Sequence, residues 1–196
     1  VNKHEVKVNL GIDEAHTLKT LGIKSPSPIE TRYQWSGKHK PFAHQKTTAA
    51  FLTMNRKAFC FNEQGTGKTA SAIWATDFLM QQGKSIMDSA WRGDLETFAP
   101  HRTVDVAHGT PIKRKAILGQ GADFVIINYD GVDIVRDEIL NGKFDLIIVD
   151  EATHYKNAQS KRWKTLNKLI TDKTWLWLMT GTPAAQSPLD AYGLAK

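Results

Sequence analysis

The sequence predicts an α/β fold with a mainly parallel central sheet flanked by helices, plus a short N-terminal accessory segment. Three observations predict it. From Pro41 onward, short apolar runs alternate with stretches whose apolar residues recur at helical spacing. The first of those runs, "KAFCF", leads into the glycine loop "NEQGTGKT", and a helical pattern follows at once. Later, "FDLIIVD" delivers four successive apolar residues to an acidic pair, as a strand covered by helices on both faces does.

Taken in order, residues 1–40 form the accessory segment and residues 41–196 the main domain. "DEAHTLKTLGI" reads as a short helix with Leu18, Leu21 and Ile23 inward. "KSPSPIE" breaks it, because each proline restricts itself and the residue before it. "HQKTTAAFLTMN" is helical with Thr48, Phe51 and Leu52 on one side, and "KAFCF" is a strand. "KTASAIWATDFLMQQ" turns Ala72, Ile73, Ala75, Thr76 and Leu79 inward, and "DSAWRGDLETFA" is a helix capped by Asp88. "TVDVAH" then reads as strand, "TPIKRKAIL" as helix, "DFVIINY" as strand and "GVDIVRDEIL" as helix. "FDLIIVD" is a strand, "SKRWKTLNKLI" a basic amphipathic helix, and "TWLWLMT" closes the sheet, with Trp175 and Trp177 in the core. One step breaks the rhythm: no returning strand separates the helix ending near Gln82 from the next. The pattern therefore predicts residues lost between Lys84 and Ser85.

The bulk numbers fit this plan. A chain of 196 residues with 41% hydrophobic content suits one large domain, with or without an extension. No stretch reaches the ~18 apolar residues of a membrane span, and no signal peptide or membrane association is expected. A single cysteine, Cys60, excludes an internal disulfide, suits a reducing compartment and is expected to be packed and unreactive. The histidines lack metal-ligand spacing. The net charge of +6 is uneven. Lys156, Lys161, Arg162, Lys164, Lys168 and Lys173 cluster near the end, and "IKRK" spans 112–115, which suits a polyanion such as nucleic acid.

Three stretches carry chemistry. The loop departs from the strict G-x-x-x-x-G-K-S/T pattern only at Asn62, a residue type that tolerates left-handed backbone. Gly65 and Gly67 let amides turn inward beside Gln64 and Thr66, and the following helix N-terminus favours anions. Lys68 would neutralise phosphates and Thr69 would ligate Mg2+. In "LIIVDEATH", Asp150 is placed to hold Mg2+ and Glu151 to orient or deprotonate water at the carboxyl edge of the sheet. The earlier "DEAH" at 13–16 follows no apolar strand and is assigned to a helix start. Thr180, Gly181 and Thr182 put small hydroxyls and a flexible turn at that same edge.

Together these residues resemble the first RecA-like lobe of superfamily 2 helicases and translocases, closest to the Swi/Snf-type branch, over about residues 40–196. "KPFAHQ" resembles the adenine-reading region, which implies nucleotide binding by Gln45. "NEQGTGKT" resembles motif I, where this branch has an acidic or amide residue at the Asn62 position. "VIINYDGV", with Asn128 and Tyr129, resembles the block before motif II. "DEATHYKN" resembles motif II with Lys156 and Asn157 matching and Thr153 standing in place of histidine. "LMTGTPAAQSPLDAYGL" resembles motif III, which couples nucleotide state to DNA contacts.

The resemblance implies a nucleoside triphosphatase that uses ATP and Mg2+ to move along double-stranded DNA. In that family a second RecA-like lobe supplies arginines to the ATP. The expectation is that this lobe lies beyond Lys196 and that residues 1–196 alone are a monomer that binds ATP weakly and hydrolyses it poorly. Two further readings stay open: an RNA helicase of the same superfamily, or an ATP-sensing module that recruits a partner without moving. The motor of a restriction system is a third. A compact lobe without large insertions suits a bacterial or phage protein in the cytoplasm of its cell or host; a eukaryotic one would be nuclear.

Overall fold

The computed structural model describes residues 7–83, 91–142 and 144–182, together with the backbone of 86–87. Ahead of the sheet come three helices, α1 (Ile12–Thr20), α2 (Pro28–Arg32) and α3 (Ala43–Thr53). All three start alike, with the third residue reaching back to an otherwise unpaired N–H. Gly11 N donates to Glu14 Oε2 at 3.1 Å, Ser27 N to Glu30 Oε2 at 3.0 Å, and Phe42 N to Gln45 Oε1 at 2.9 Å. The break expected at "KSPSPIE" is present, α1 ending at Thr20, but the stretch also opens α2. Proline at the first helical position gives up an N–H that would be unpaired anyway, so Ser27-Pro28 opens a helix there.

Then follow β1 (Lys57–Cys60), α4 (Lys68–Gln81), β2 (Ile86–Met87), α5 (Arg92–Phe98), β3 (Val104–Val106) and α6 (Pro111–Leu118). β4 (Phe124–Ile126), α7 (Tyr129–Val132), α8 (Arg136–Asn141), β5 (Leu146–Val149), α9 (Lys161–Leu169) and β6 (Trp175–Met179) complete the order. Every strand pairing is parallel. The strands run β1-β6-β5-β2 in one ladder and β3-β4 in another, with β4 lying beside β2. The α/β class and parallel sheet expected from the alternation are both present.

Strand alternation builds two cores. Ala58, Cys60, Trp175, Trp177 and Met179 face α3 and α4, joining Leu52, Ile73, Trp74 and Phe78. Ile147, Val149 and Leu178 face the other way, onto Val132, Val135, Leu166 and Leu169. Residues 70–80 of α4 are buried on every side, so this helix has no solvent face. Ile29 and Tyr33 lie in the α3/α4 core, so part of the first 40 residues packs with the sheet.

Several local expectations need correction. The returning strand judged missing after Gln82 exists as the two-residue β2, paired with β5. The expected loss between Lys84 and Ser85 lies outside the described residues. α5 begins at Arg92 with Trp91 as its N-cap, and Asp88 also lies outside them. "GVDIVRDEIL" forms two short helices, broken where Val135 leaves helical angles (φ −116°, ψ 22°). Gly131 and the β-branched Val132, Ile134 and Val135 make it a weak helix former. Leu21, Ile23 and Phe51 are exposed; the inward face of α3 is Gln45, Ala49, Leu52 and Thr53. Burial of Thr53 and Gln45, both polar, is invisible to an apolar pattern.

Candidate nucleotide site

A parallel sheet delivers the carboxyl ends of its strands to one edge, and β1, β5 and β6 lie adjacent in it. Cys60, Val149 and Met179 therefore release the glycine loop, the acidic pair and Thr180–Thr182 side by side. Burial pushes the Cys60 thiol above its ordinary value, with a backbone hydrogen bond from Asn62 and the Lys68 charge offsetting part of that rise.

Residues 61–67 connect β1 to α4. Gly65 (φ 75°) and Gly67 (φ 77°) sit in the left-handed region. A Cβ at Gly67 would fall 2.2 Å from Gln45 Nε2, so a larger residue would have to displace the Gln45 amide as well as take a left-handed angle. Thr66 Oγ1 donates to Glu63 O at 2.8 Å, and Asn62 Nδ2 donates to Thr48 Oγ1 at 2.9 Å. Asn62, the departure from the strict pattern, thus ties the loop to α3. Lys68 Nζ donates to the carbonyls of Asn62 (2.8 Å) and Glu63 (2.9 Å), bonds that a phosphate oxygen would replace. Thr69, in the first turn of α4, is half-buried, and Gln64 is exposed on the loop. Left-handed glycines, a lysine and the start of a 14-residue helix fit a polyphosphate.

Gln45 is placed at the loop, but its amide is partly engaged: Oε1 accepts from Phe42 N and Nε2 donates to Thr66 O at 3.3 Å. One N–H and one lone pair remain for an adenine edge. His44, which the sequence reading did not single out, also meets Thr66 O at 3.0 Å and stacks on Phe42, with centroids 5.8 Å apart.

The acidic pair is held tightly. Asp150 Oδ2 accepts from Trp91 Nε1 at 2.9 Å, Oδ1 accepts from Glu151 N at 3.0 Å, and its carbonyl accepts from the Tyr129 hydroxyl. Glu151 is exposed, with φ 48°, the one non-glycine residue of positive φ among those described. Burial raises the Tyr129 hydroxyl well above its ordinary value, and the charges of Asp150 and Glu151 raise it further, so it stays a donor. Burial and the Asp150 charge also raise the carboxyl of Asp94. Two lone pairs remain on the Asp150 carboxylate, and the Thr69 side chain carries a hydroxyl; both are oxygen donors of the kind a hard cation takes. Among the described residues no three His, Cys, Asp or Glu side chains cluster as a metal cage.

Thr180 is buried and its N–H donates to Cys60 O at 3.1 Å. A Cβ on Gly181 would lie 2.9 Å from Gln64 Cγ and 3.6 Å from Lys68 Nζ, so this turn packs onto the glycine loop. Thr182 N donates to Thr180 Oγ1 at 3.1 Å. Asn128 instead accepts from the buried Arg114 at 2.8 Å, and Asn157 Oδ1 accepts from Gln159 N at 2.9 Å in a local turn. Lys156 is half-buried next to that turn.

Of the cations counted toward a basic face on α9, Lys161 pairs with Asp133 at 2.6 Å and Arg162 with Asp130 at 2.8 Å. Arg162 also lies 5.8 Å from the Tyr129 ring centre. These charges are spent on α7 and its flank. Sequence reasoning missed Trp91 and Arg114 because their partners, Asp150 and Asn128, are 59 and 14 residues away.

The profile of the SNF2-related domain matches residues 44–196. The chain is 25% identical over 158 residues to the Drosophila melanogaster SWI/SNF-related matrix-associated actin-dependent regulator of chromatin subfamily A-like protein 1, covering 78% of this chain and 20% of that protein. It is 24% identical over 156 residues to the human DNA annealing helicase and endonuclease ZRANB3, covering 72% of this chain and 14% of that one. The fold matches the Sulfolobus solfataricus SWI2/SNF2 ATPase core in complex with dsDNA at a TM-score of 0.69 and 20% identity, covering 82% of this chain and 36% of that chain. The chain thus spans a fifth or less of these two relatives' lengths and about a third of the solved core.

Proposed function

The chain belongs to the SNF2-related domain family, and from that premise we propose that it is the first, ATP-binding lobe of a double-stranded DNA translocase. The observation that carries this is the meeting of three elements at one sheet edge: Lys68 in its glycine loop, Asp150 at the end of β5, and Gly181 packed against both loop and lysine. Residues 41–196 form the motor lobe, and the segment before them braces it through Ile29 and Tyr33.

In this reading the loop amides and Lys68 bind the phosphates, and Gln45 reads the adenine. Bound Mg2+ would neutralise charge on the outer phosphate oxygens. Thr69 and Asp150 would hold that ion, and Glu151 would orient the attacking water and take its proton. Gly181 and Thr182 feel whether the Lys68 ammonium points to a phosphate or to its own loop, and pass that difference to neighbouring surfaces. Arginines from a second lobe complete the charge stabilisation, an effect worth about 10³- to 10⁵-fold in rate. The isolated lobe is therefore a poor ATPase. A reducing compartment is proposed for it, the cytoplasm or, in a eukaryote, the nucleus.

The test is ATP turnover by the full-length protein that contains this lobe, with duplex DNA, single-stranded DNA or RNA added. Duplex DNA should stimulate most, and Glu151→Gln should lower turnover by about 10² to 10⁴. Stimulation by RNA alone would move the protein to the RNA helicases. Full biological activity of Glu151→Gln would leave only a nucleotide-sensing module.

A further inference from the structure

Asp150 is held at three atoms, and two of the holders come from elements with no assigned chemical role. Trp91, at the N-cap of α5, is 2% exposed, and its indole N–H donates to Asp150 Oδ2 at 2.9 Å. Tyr129, at the start of α7, donates its hydroxyl to the Asp150 carbonyl. The Glu151 N–H closes onto Oδ1 at 3.0 Å. The peptide between the two acids is thus fixed from both sides, and the residue after it, Glu151, is kept at φ 48°. An unsupported glutamate would relax out of that region, because its Cβ crowds the backbone there.

Both holders are themselves fixed. Trp91 belongs to the α3/α4 core. Tyr129 is packed edge-on to Tyr155 at 5.5 Å and against His154 at 4.8 Å. The Trp91 N–H cannot follow the Asp150 carboxylate if it swings, and the Tyr129 hydroxyl cannot follow the carbonyl if the peptide turns. The bonds from Trp91 and from Glu151 N each use one acceptor direction of the carboxylate, leaving its other lone pairs free.

We infer that Trp91 and Tyr129 are positioning residues for the acidic turn: Trp91 sets the plane of the Asp150 carboxylate for the cation, and Tyr129 sets the peptide that carries Glu151. The inference rests on the reading of Asp150 as a Mg2+ ligand. It divides the labour between two residues about 40 positions apart. Loss of Trp91 N–H acts on metal affinity, and loss of the Tyr129 hydroxyl acts on the water-activating step. Groups that orient a metal ligand are typically worth about 10- to 100-fold in metal affinity.

The experiment follows binding of a fluorescent (N-methylanthraniloyl) ATP to residues 1–196 while Mg2+ is titrated, with EDTA as the metal-free reference. Trp91→Phe keeps an aromatic ring in the core but removes the donor together with the indole's second ring, so the metal-free affinity serves as the control for core loosening. The substitution should raise the Mg2+ concentration at half-effect about tenfold, with metal-free nucleotide affinity within twofold of wild type. Tyr129→Phe should leave the Mg2+ midpoint within twofold and lower kcat of the full-length protein about tenfold or more, with KM unchanged. A Trp91→Phe midpoint equal to wild type overturns the inference. So does an equal loss of affinity with and without Mg2+, which is what mere loosening of the core would give. Asp150→Ala separates the underlying reading: if it retains the wild-type midpoint, Asp150 is no metal ligand and the proposed function fails at that point instead.

Discussion

Replacing Asp77 with asparagine should destabilise the whole lobe, although the residue lies far from the glycine loop in the chain. Asp77 sits in the middle of α4 with a fully buried side chain. Its Oδ2 accepts from the Tyr33 hydroxyl at 2.5 Å, and its Oδ1 accepts from Arg102 Nε at 2.7 Å and meets His101 Nε2 at 2.9 Å. Ser36 Oγ approaches Oδ2 at 3.4 Å, and Arg102 continues to Asp123 at 3.3 Å. One carboxylate therefore joins the segment after α2, the central helix and the entry to β3.

Asparagine has the same shape but must point two hydrogens at one of these donors. It also leaves Arg102, whose side chain is 17% exposed, without its closest charge. Removing one partner of a buried pair costs about 3–5 kcal/mol. At roughly 2–4 °C per kcal/mol for a domain of this size, even 3 kcal/mol lowers Tm by about 6–12 °C. Burial alone would raise the Asp77 carboxyl, but hydrogen bonds from Tyr33, Arg102 and His101 outweigh it and hold the group below the usual carboxylate range. A group with a depressed folded value stabilises fully above its unfolded value of about 3.9, and loses that contribution as pH falls through the folded one. The carboxylate's own contribution to the difference between wild type and Asp77→Asn should thus be full at pH 7 and shrink below about pH 4. Thermal melts of residues 1–196 across that range measure it. A fall in Tm of less than 2 °C at pH 7, or a difference that grows as pH falls below 4, would refute the reasoning.

Two further outcomes are expected. Gly65→Ala and Gly67→Ala both force alanine into left-handed angles, at about 1–2 kcal/mol each. Only the second drives a Cβ into Gln45, adding the loss of its bond to Thr66 at about 1 kcal/mol. Gly67→Ala should therefore melt a further ~2–4 °C lower than Gly65→Ala; equal melting temperatures would mean that Gln45 does not brace the loop. Cys60 is buried and its thiol is raised, chiefly by that burial. At pH 8 it should react with a disulfide reagent at least about tenfold more slowly in the native chain than in guanidinium chloride, and comparable rates would place it at the surface.

The sequence by itself determined the class of fold and the order of most elements along the chain, and it singled out the glycine loop. Those are carried by local patterns: apolar runs of strand length, helical spacing and a glycine-lysine-threonine turn between them. The same locality explains what was misread. A polar residue such as Gln45 or Thr53 is buried because the helix before the loop must cover it, and no apolar count registers that. β2 is too short to register as a run, and exists because β5 offers it an edge. Nothing in the sequence ties Trp91 or Tyr129 to Asp150, which lies 59 and 21 positions further along the chain. Two cations of the basic α9, Lys161 and Arg162, lie beside Asp133 and Asp130, pairings that spacing along the helix does not show. Tertiary structure decided every pairing between groups distant in the chain, because hydrogen bonds and ion pairs depend on separation in space, which sequence spacing does not measure.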